Sequence, residues 1–463
     1  MIYRLKPSYM LRGWDKMAWA LVRRPENEVR KLSKEMFQTL LFCDGETDLT
    51  DELRKDLSEA ALTQCEEQGI IEVCDCARPL EPDQYYKYFH NRYVQSVFWS
   101  VTGRCNFRCR HCYMDAPDAM LGELSTEEAL ELLDQMADCG VMHLDLTGGE
   151  PLVRRDFWQL IDRIQKHKMV IGKVYTNGWL LDESVLDEFE KRQLRPKISI
   201  SFDGVGWHDW MRGIPGAEKA ALRALRLCRE RGFDTDVEMC IHRGNQETLM
   251  ETIQALLQVG VTELKTSNIA MTDLWCSHSE GNALTQPEYI EAMLKYIPKY
   301  YEAGRPLELT LAGVISLHRD GSYEIHPEHY DGTEKCLNCY LCRTARWFCY
   351  ITPDGRLLPC LPMTASPEQS RFPKVQDIGL RQGLSDSLYM RFVNTKVKDL
   401  LEVNEECGTC PYRFKCGGGC RAEALRDGRN DLMGCDRIMC MYWKGGYAER
   451  IRQVAEETAA RYL

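Results

Sequence analysis

The sequence contains no long hydrophobic run, and its first residues lack the features of an export signal. No apolar segment approaches the ~20 residues that a membrane-spanning helix needs. Residues 1–7 have no apolar core of the signal-peptide kind. Basic residues are outnumbered by acidic ones, 59 to 70, which gives a formal net charge of −11. This charge argues against nucleic acid or an anionic membrane as a partner. We therefore expect a cytoplasmic protein with neither partner.

Cysteine, in contrast, is abundant. The chain has 22 cysteines, and many of them follow Cys336. Disulfides are rare in a reducing cytoplasm, so pairing does not explain this number. The sequence therefore predicts several metal–thiolate sites.

Three cysteines stand apart from the others in an early loop. Cys105, Cys109 and Cys112 have C-x3-C-x2-C spacing. Three thiolates hold three corners of a four-iron cube and leave the fourth iron open, whereas a structural zinc has four ligands. The spacing favours a catalytic iron–sulfur cluster, with zinc as the alternative.

Strand and helix patterns alternate from about residue 94 to residue 310. The predicted strands are Val97–Val101, His143–Thr147, Val170–Thr176, Lys197–Phe202, Thr235–Ile241 and Glu263–Ala270. The predicted helices are Thr126–Cys139, Asp156–His167, Glu183–Arg192, Ala217–Arg231, Gln246–Val259 and Gln286–Glu302. Repeated strand–helix units form a parallel sheet that curls into a barrel. The predicted fold class is therefore α/β, a partial (β/α)6 TIM-like barrel.

Short polar motifs follow several of these strands. They contribute nine candidate site residues: Gly148, Gly149, Glu150, Pro151, Thr176, Asn177, Ser199, Ser201 and Asp203. Catalytic groups gather at the carboxyl ends of barrel strands, and glycines there allow close backbone approach. We expect these residues to surround one site.

The cysteine loop and these motifs together resemble the radical S-adenosylmethionine (SAM) enzymes over roughly residues 94–310. The resemblance implies that the three cysteines hold a catalytic [4Fe–4S] cluster whose open iron binds the amino and carboxylate groups of SAM. It implies that the Gly-Gly-Glu-Pro turn contacts the methionine amine and that the serine–aspartate region lies near the ribose. In this family, one electron cleaves SAM to a 5′-deoxyadenosyl radical, which abstracts a substrate hydrogen.

The later cysteines resemble a SPASM domain, a cluster-binding domain of peptide-modifying and sulfatase-maturing enzymes. The resemblance implies two auxiliary [4Fe–4S] clusters. Cys342, Cys360 and Cys420 fall on the first, and Cys407, Cys410, Cys416 and Cys440 on the second. Cys349 or an open iron completes the first site, and Cys435 competes with Cys440 at the second. Cys336 and Cys339 have no assignment, and a zinc ribbon is the alternative to both clusters.

Residues 1–78 are predicted to form a winged-helix-like module. Its predicted elements are strands Ile2–Leu5, Tyr9–Trp14 and Ala18–Arg23, helices Ser33–Cys43 and Thr50–Gly69, and strand Ile70–Val73. Their order resembles the leader-binding element of peptide-modifying enzymes, which implies that a leader peptide adds as an edge strand. A purely structural appendage is the alternative. The other predicted units are a connector at 79–93, the barrel at 94–310, a bridging segment at 311–335 and an iron–sulfur domain at 336–463.

These features predict a radical SAM peptide maturase. It would cross-link a ribosomally made precursor peptide, with a thioether from cysteine sulfur to carbon as the expected bond, and it would take electrons from a flavodoxin- or ferredoxin-type donor. The enzymatic alternatives are carbon–carbon cross-linking, sulfatase-type oxidation, a quinone or tetrapyrrole cofactor step, and epimerisation with Cys240 or Cys276 as hydrogen donor. The non-enzymatic alternative is a winged-helix regulator that senses through an iron–sulfur cluster.

Overall fold

The computed structural model describes residues 1–50, 57–114, 121–426 and 431–463. Seven short strands lie in the N-terminal part: β1 (Ile2–Leu5), β2 (Tyr9–Asp15), β3 (Met17–Arg23), β4 (Glu28–Lys31), β5 (Asp44–Asp48), β6 (Ile71–Cys74) and β7 (Lys87–Arg92). They form a three-stranded sheet of order β5–β1–β6 and a four-stranded sheet of order β4–β3–β2–β7. The segment predicted as a connector thus contributes a strand, since β7 pairs in parallel with β2.

Two helices accompany these sheets. Lys34–Leu41 begins where the Ser33 hydroxyl accepts a hydrogen bond from the Met36 N–H (3.1 Å). Glu59–Glu67 is shorter than the predicted helix Thr50–Gly69, because the Ser58 hydroxyl caps it by accepting from the Ala61 N–H (3.2 Å). Part of that predicted helix, residues 51–56, lies outside the described residues. The winged-helix character of the module stays a prediction.

The central sheet confirms the predicted partial barrel. Seven strands lie side by side in chain order: β8 (Ser96–Ser100), β9 (His143–Thr147), β10 (Val170–Thr176), β11 (Lys197–Ser201), β12 (Thr235–Ile241), β13 (Glu263–Asn268) and β14 (Glu308–Leu311). Every neighbouring pair among them is parallel. Their carboxyl ends therefore meet at one end of the barrel.

Helices alternate with these strands along the chain. They are Thr126–Asp138, Phe157–Lys166, Glu183–Lys191, His208–Arg212, Ala217–Glu230, Leu249–Gln258, Asp273–His278, Gln286–Leu294 and Tyr296–Glu302. The first starts with a capping box between Ser125 and Glu128. The single helix predicted over Gln286–Glu302 is two helices, because Pro298 has no N–H to donate to the Leu294 carbonyl four residues earlier.

The C-terminal part extends the same sheet at both ends. Strands β15 (Ile315–Leu317) and β16 (Tyr323–Ile325) add beyond β14, and β17 (Phe348–Ile351) and β18 (Leu357–Leu358) add beyond β8. Its helices are Val375–Ile378, Leu380–Gly383, Ser387–Asn394, Val397–Val403, Glu405–Gly408, Arg413–Cys416, Arg421–Arg426, Arg437–Lys444 and Tyr447–Tyr462. Five 3-10 helices complete the described elements: Pro151–Val153, Glu334–Asn338, Thr344–Arg346, Leu361–Ala365 and Pro367–Arg371. Most of the cysteines here lie in loops or short helices.

The N-terminal module packs against the amino ends of the barrel strands. The Trp14 indole N–H donates to the carbonyl of Cys139 (3.2 Å), and the Asn27 amide donates to the carbonyl of Lys168 (2.9 Å). Cys139 shortly precedes β9 and Lys168 shortly precedes β10. The module therefore lies at the end of the barrel opposite to the carboxyl ends of the strands. Within the ranges given above, no helix combines the length and apolarity needed to cross a membrane.

Candidate functional site

The early cysteine loop lies at the carboxyl end of β8 and borders a cavity of about 350 Å³. Eight of the predicted site residues line this cavity: Cys105, Cys109, Cys112, Gly148, Gly149, Thr176, Asn177 and Ser201. They come from the ends of four neighbouring strands, β8 to β11. The structure therefore brings these residues together.

The glycine turn after β9 holds the cysteine loop through its backbone. The Gly149 N–H donates to the Thr102 carbonyl (2.8 Å), and the Glu150 N–H donates to the Arg104 carbonyl (2.9 Å). A Cβ on Gly149 would lie 2.2 Å from the Arg104 oxygen, which no side chain can accommodate. Glycine is therefore required here for close backbone approach.

Glu150 stands behind the cavity and not on its surface. Its side chain is fully buried and accepts hydrogen bonds from the Thr176 hydroxyl (2.9 Å) and the Asn177 N–H (2.8 Å). Burial raises the pKa of Glu150 to about 7, and these hydrogen bonds oppose the rise. The carboxyl group joins the turn after β9 to the end of β10 and so supports the cavity wall.

Asp203 is also buried behind the wall, where it binds an arginine. The Arg212 Nε donates to the Asp203 carboxylate (2.6 Å), and Nη1 of the same guanidinium lies 3.8 Å from the Cys109 sulfur. Burial alone would raise the pKa of Asp203, but the charge of Arg212 holds it well below the ordinary value. Arg212 lines the cavity and brings a buried positive charge beside the cysteine loop.

The three thiols suit a metal cluster. Burial raises the pKa of Cys105 to about 12, and it raises that of Cys109 despite the nearby Arg212. Such thiols stay protonated at neutral pH unless a metal replaces the proton. Nδ1 of His111 is buried without a hydrogen-bond partner among the described residues and lies in the same loop. Three thiols and an unsatisfied polar atom at one cavity fit a group that accepts thiolate ligands.

The remaining predicted residues occupy supporting positions. Ser199 is buried, and Pro151 begins the 3-10 helix Pro151–Val153. Of the two cysteines suggested as hydrogen donors, Cys240 lines the cavity and Cys276 is exposed on the helix Asp273–His278.

Sequence reasoning missed several further residues that line the cavity, and four of them bear on its chemistry or its position. They are Arg212, Glu238, Lys265 and Leu361. Glu238 and Lys265 form an ion pair (3.0 Å) across β12 and β13. The alternation of these two strands could have revealed this pair, because residues of one parity face the inside of a barrel. Leu361 belongs to the C-terminal part and directly follows Cys360.

A second set of cysteines surrounds a cavity of about 410 Å³ in the C-terminal part, which we call the first auxiliary site. Cys342 and Cys420 line it, as does Cys416, which the resemblance assigns to the second cluster. Burial raises the pKa of Cys360 well above its ordinary value, and the nearby thiols of Cys420 and Cys342 add to the rise. Arg421 also lines the cavity, and its Nε is buried without a partner among the described residues. Three of the predicted thiols are thus close together here.

Five cysteines line one small cavity nearby, which we call the second auxiliary site. They are Cys407, Cys410, Cys416, Cys435 and Cys440. The sulfurs of Cys407 and Cys435 are 3.6 Å apart, and burial raises the pKa of Cys407 to about 12. Both competitors for the last ligand position, Cys435 and Cys440, are therefore present at the site.

Asp436 connects the two auxiliary sites. Its carboxylate caps the helix that carries Cys440 by accepting from the Met439 N–H (3.0 Å), and it also accepts from the Cys420 N–H (2.7 Å). A single buried side chain thus fixes one cysteine of each site.

Three other cysteines line neither auxiliary cavity. Cys349 is fully buried on β17, and the ionisable groups that affect its pKa are Arg92 and Cys139. It does not line either auxiliary cavity, so its ligand role stays a prediction. Cys336 is buried against Val397 and Leu400, with Cys339 packed at the edge of the same cluster.

Comparison with known proteins identifies the barrel. Residues 99–256 match the model of the radical SAM superfamily. PqqA peptide cyclase of Granulibacter bethesdensis is 29% identical over 329 residues, which cover 70% of this chain and 82% of that protein. The AdoMet-dependent heme synthase of Methanosarcina barkeri is 25% identical over 345 residues, 71% of this chain and 91% of that protein.

A solved structure has the same fold. Streptococcus suis SuiB bound to precursor peptide SuiA has a TM-score of 0.68 at 14% identity, covering 95% of this chain and 100% of that one. Radical SAM enzymes use SAM and a [4Fe–4S] cluster, which agrees with the three thiols at the carboxyl ends of the strands. Residues 99–256 of this chain thus form a radical SAM domain, and the chain is an enzyme.

Proposed function

We propose that this chain is a radical SAM maturase that cross-links a ribosomally made precursor peptide. The observation that carries the proposal is the combination of one three-thiol cavity in the barrel with two cysteine sites beside it. A relative that covers most of the chain is named a peptide cyclase, and a structure of the same fold holds a precursor peptide. A thioether from cysteine sulfur to carbon is the bond we expect.

The residues of the barrel cavity have separate tasks in this proposal. Cys105, Cys109 and Cys112 hold the catalytic cluster, and the backbone of Gly148 and Gly149 approaches the methionine end of SAM. When bound, the cluster and SAM supply an organic radical that removes a hydrogen atom from the substrate. The Arg212 guanidinium, held by Asp203, offers a fixed cation to the SAM carboxylate. Glu238, Cys240 and Lys265 are left to face the substrate.

The first auxiliary site adjoins this cavity through the chain that follows Cys360. Leu361, which lines the barrel cavity, directly follows Cys360 of the first auxiliary site. A cluster held there would be near enough to bind the substrate or to accept the electron that is left when a cross-link closes. The second site would exchange electrons with a flavodoxin- or ferredoxin-type protein.

The N-terminal module is the proposed binding site for the leader peptide. Strand β6 is at one edge of the three-stranded sheet, and Val73 on it is 49% exposed. An edge strand with an exposed apolar side chain can accept another strand through backbone hydrogen bonds and a side-chain contact. Because the module lies at the amino ends of the barrel strands, the peptide would pass along the barrel before it reaches the cavity.

A substitution on β6 tests this function. The substrate would be a short Cys-rich precursor peptide, sought among the open reading frames beside the gene. We expect Val73→Asp to weaken peptide binding about tenfold or more and to reduce cross-linking, since it replaces an apolar contact with a desolvated charge. Mass spectrometry would follow the loss of two hydrogens per cross-link, and fluorescence anisotropy would follow binding.

The control is Val403→Asp in the C-terminal part, where Val403 is 67% exposed. This variant should bind and modify the peptide as the parent does. Equal modification by all three proteins would contradict the leader-binding role. SAM cleavage without any change in the peptide would contradict the maturase function itself.

A tetrapyrrole substrate is the second candidate, and the heme synthase relative favours it. An iron porphyrin added to the protein would then shift its Soret band and would be consumed together with SAM. The peptide proposal expects neither change.

A further inference from the structure

Trp443 carries a buried polar group that has no protein partner. Its side chain is 6% exposed, and Nε1 has no hydrogen-bond acceptor among the described residues. Leaving such a donor unsatisfied costs about 1–3 kcal/mol, so buried N–H groups of this kind are rare. The missing acceptor is therefore informative if the indole faces a site that can hold one.

The indole does line such a site. Trp443 and the five cysteines of the second auxiliary site line the same cavity. Trp443 is three residues after Cys440 on the helix Arg437–Lys444, so the two side chains share one face of that helix. The ring is held in place because it stacks on Tyr412, with centroids 5.8 Å apart and planes at 28°.

The neighbouring chemistry indicates which acceptor is missing. The cavity lining is dominated by cysteine sulfur and apolar groups, and its one carboxylate, Glu406, is already bound to Arg437 (2.8 Å) and Lys444 (3.2 Å). An iron–sulfur cluster in this cavity would bring sulfide and thiolate sulfurs, which accept hydrogen bonds from N–H groups.

We propose that the Trp443 indole donates its N–H to a sulfur of the cluster at the second auxiliary site and thereby raises the reduction potential of that cluster. The proposal rests on the auxiliary cluster of the proposed function. A hydrogen bond to sulfur stabilises the reduced form more, because that form carries more negative charge, and such bonds are among the factors that set cluster potentials. Trp443 is thus a tuning residue for electron transfer and does not touch the substrate.

The test compares two tryptophan substitutions. Trp443→Phe keeps an aromatic ring and removes only the N–H group. We expect the equilibrium constant for one-electron reduction of the cluster at the second auxiliary site to fall about tenfold. This corresponds to a change of about −59 mV in its reduction potential. Redox titration followed by EPR would measure it in a Cys105→Ala, Cys109→Ala, Cys112→Ala background, where only the auxiliary clusters contribute.

The matched control is Trp99→Phe. Trp99 is buried too, and its Nε1 has no hydrogen-bond partner in the described part of the chain, but it lies in the apolar core on β8 and lines none of the three cysteine cavities. This substitution should leave both auxiliary potentials unchanged. An equal shift in both variants would overturn the proposal, because it would reflect general loosening of the protein.

A second measurement needs no variant. In the parent protein labelled with [15N-indole]tryptophan, pulsed EPR should detect a nitrogen coupled to one reduced auxiliary cluster, together with an exchangeable proton. A loaded second site without this coupling, or with an unchanged potential in Trp443→Phe, would overturn the inference. A second site that never takes up iron would instead overturn the auxiliary-cluster part of the proposed function.

Discussion

At the scale of single residues, Glu150 makes the stability of the protein depend on pH. Its pKa rises from 4.5 to about 7 because burial disfavours the charged form. Between these values the folded protein keeps a proton that the unfolded chain releases, so stability falls as the pH rises. The whole effect amounts to about 3 kcal/mol.

We therefore expect Glu150→Gln to flatten this dependence. Between pH 4.5 and pH 7 the parent should lose about 3 kcal/mol of unfolding free energy that the variant keeps. Urea unfolding of the metal-free proteins would measure it, with Glu127→Gln, an exposed carboxylate on the helix Thr126–Asp138, as control. If the difference in unfolding free energy between Glu150→Gln and the parent stays constant across this pH range, the raised pKa of Glu150 is contradicted.

At the scale of elements, the turn after β9 and the cysteine loop form one unit. Gly149→Ala would push a Cβ to 2.2 Å from the Arg104 carbonyl, so the two backbones would have to separate. We expect a loss of at least 1–3 kcal/mol of stability and incomplete loading of the catalytic cluster. Thermal unfolding and iron content would report both effects.

Gly304→Ala is the comparison for this prediction. A Cβ at Gly304 meets open space, and only its left-handed backbone (φ +78°) makes alanine unfavourable, by about 1 kcal/mol. It should lower stability slightly and leave iron loading complete. Full iron loading in Gly149→Ala would show that the turn does not support the cysteine loop.

At the scale of the whole molecule, local pattern predicted the barrel but not what surrounds its cavity. The strands His143–Thr147, Val170–Thr176 and Thr235–Ile241 have the predicted bounds, because buried apolar residues recur along each strand and glycine or polar residues follow it. Arg212 was missed because the helix His208–Arg212 is too short to show a helical period.

The features that local sequence patterns did not predict depend on contacts between distant parts of the chain. Strand β17 pairs with β8 some 250 residues earlier, and Leu361 reaches the barrel cavity from the C-terminal part. The position of the N-terminal module at the far end of the barrel likewise depends on contacts such as Trp14 with Cys139. These arrangements depend on complementary surfaces, which a pattern in one segment does not encode.

The content of iron and sulfide per chain tests the central claim most directly. After anaerobic reconstitution, three [4Fe–4S] clusters require about twelve irons and as many sulfides. The Cys105→Ala, Cys109→Ala, Cys112→Ala variant should retain about eight of each and lose all SAM cleavage. Tightly bound zinc in place of iron, or SAM cleavage that survives in the triple variant, would contradict the account.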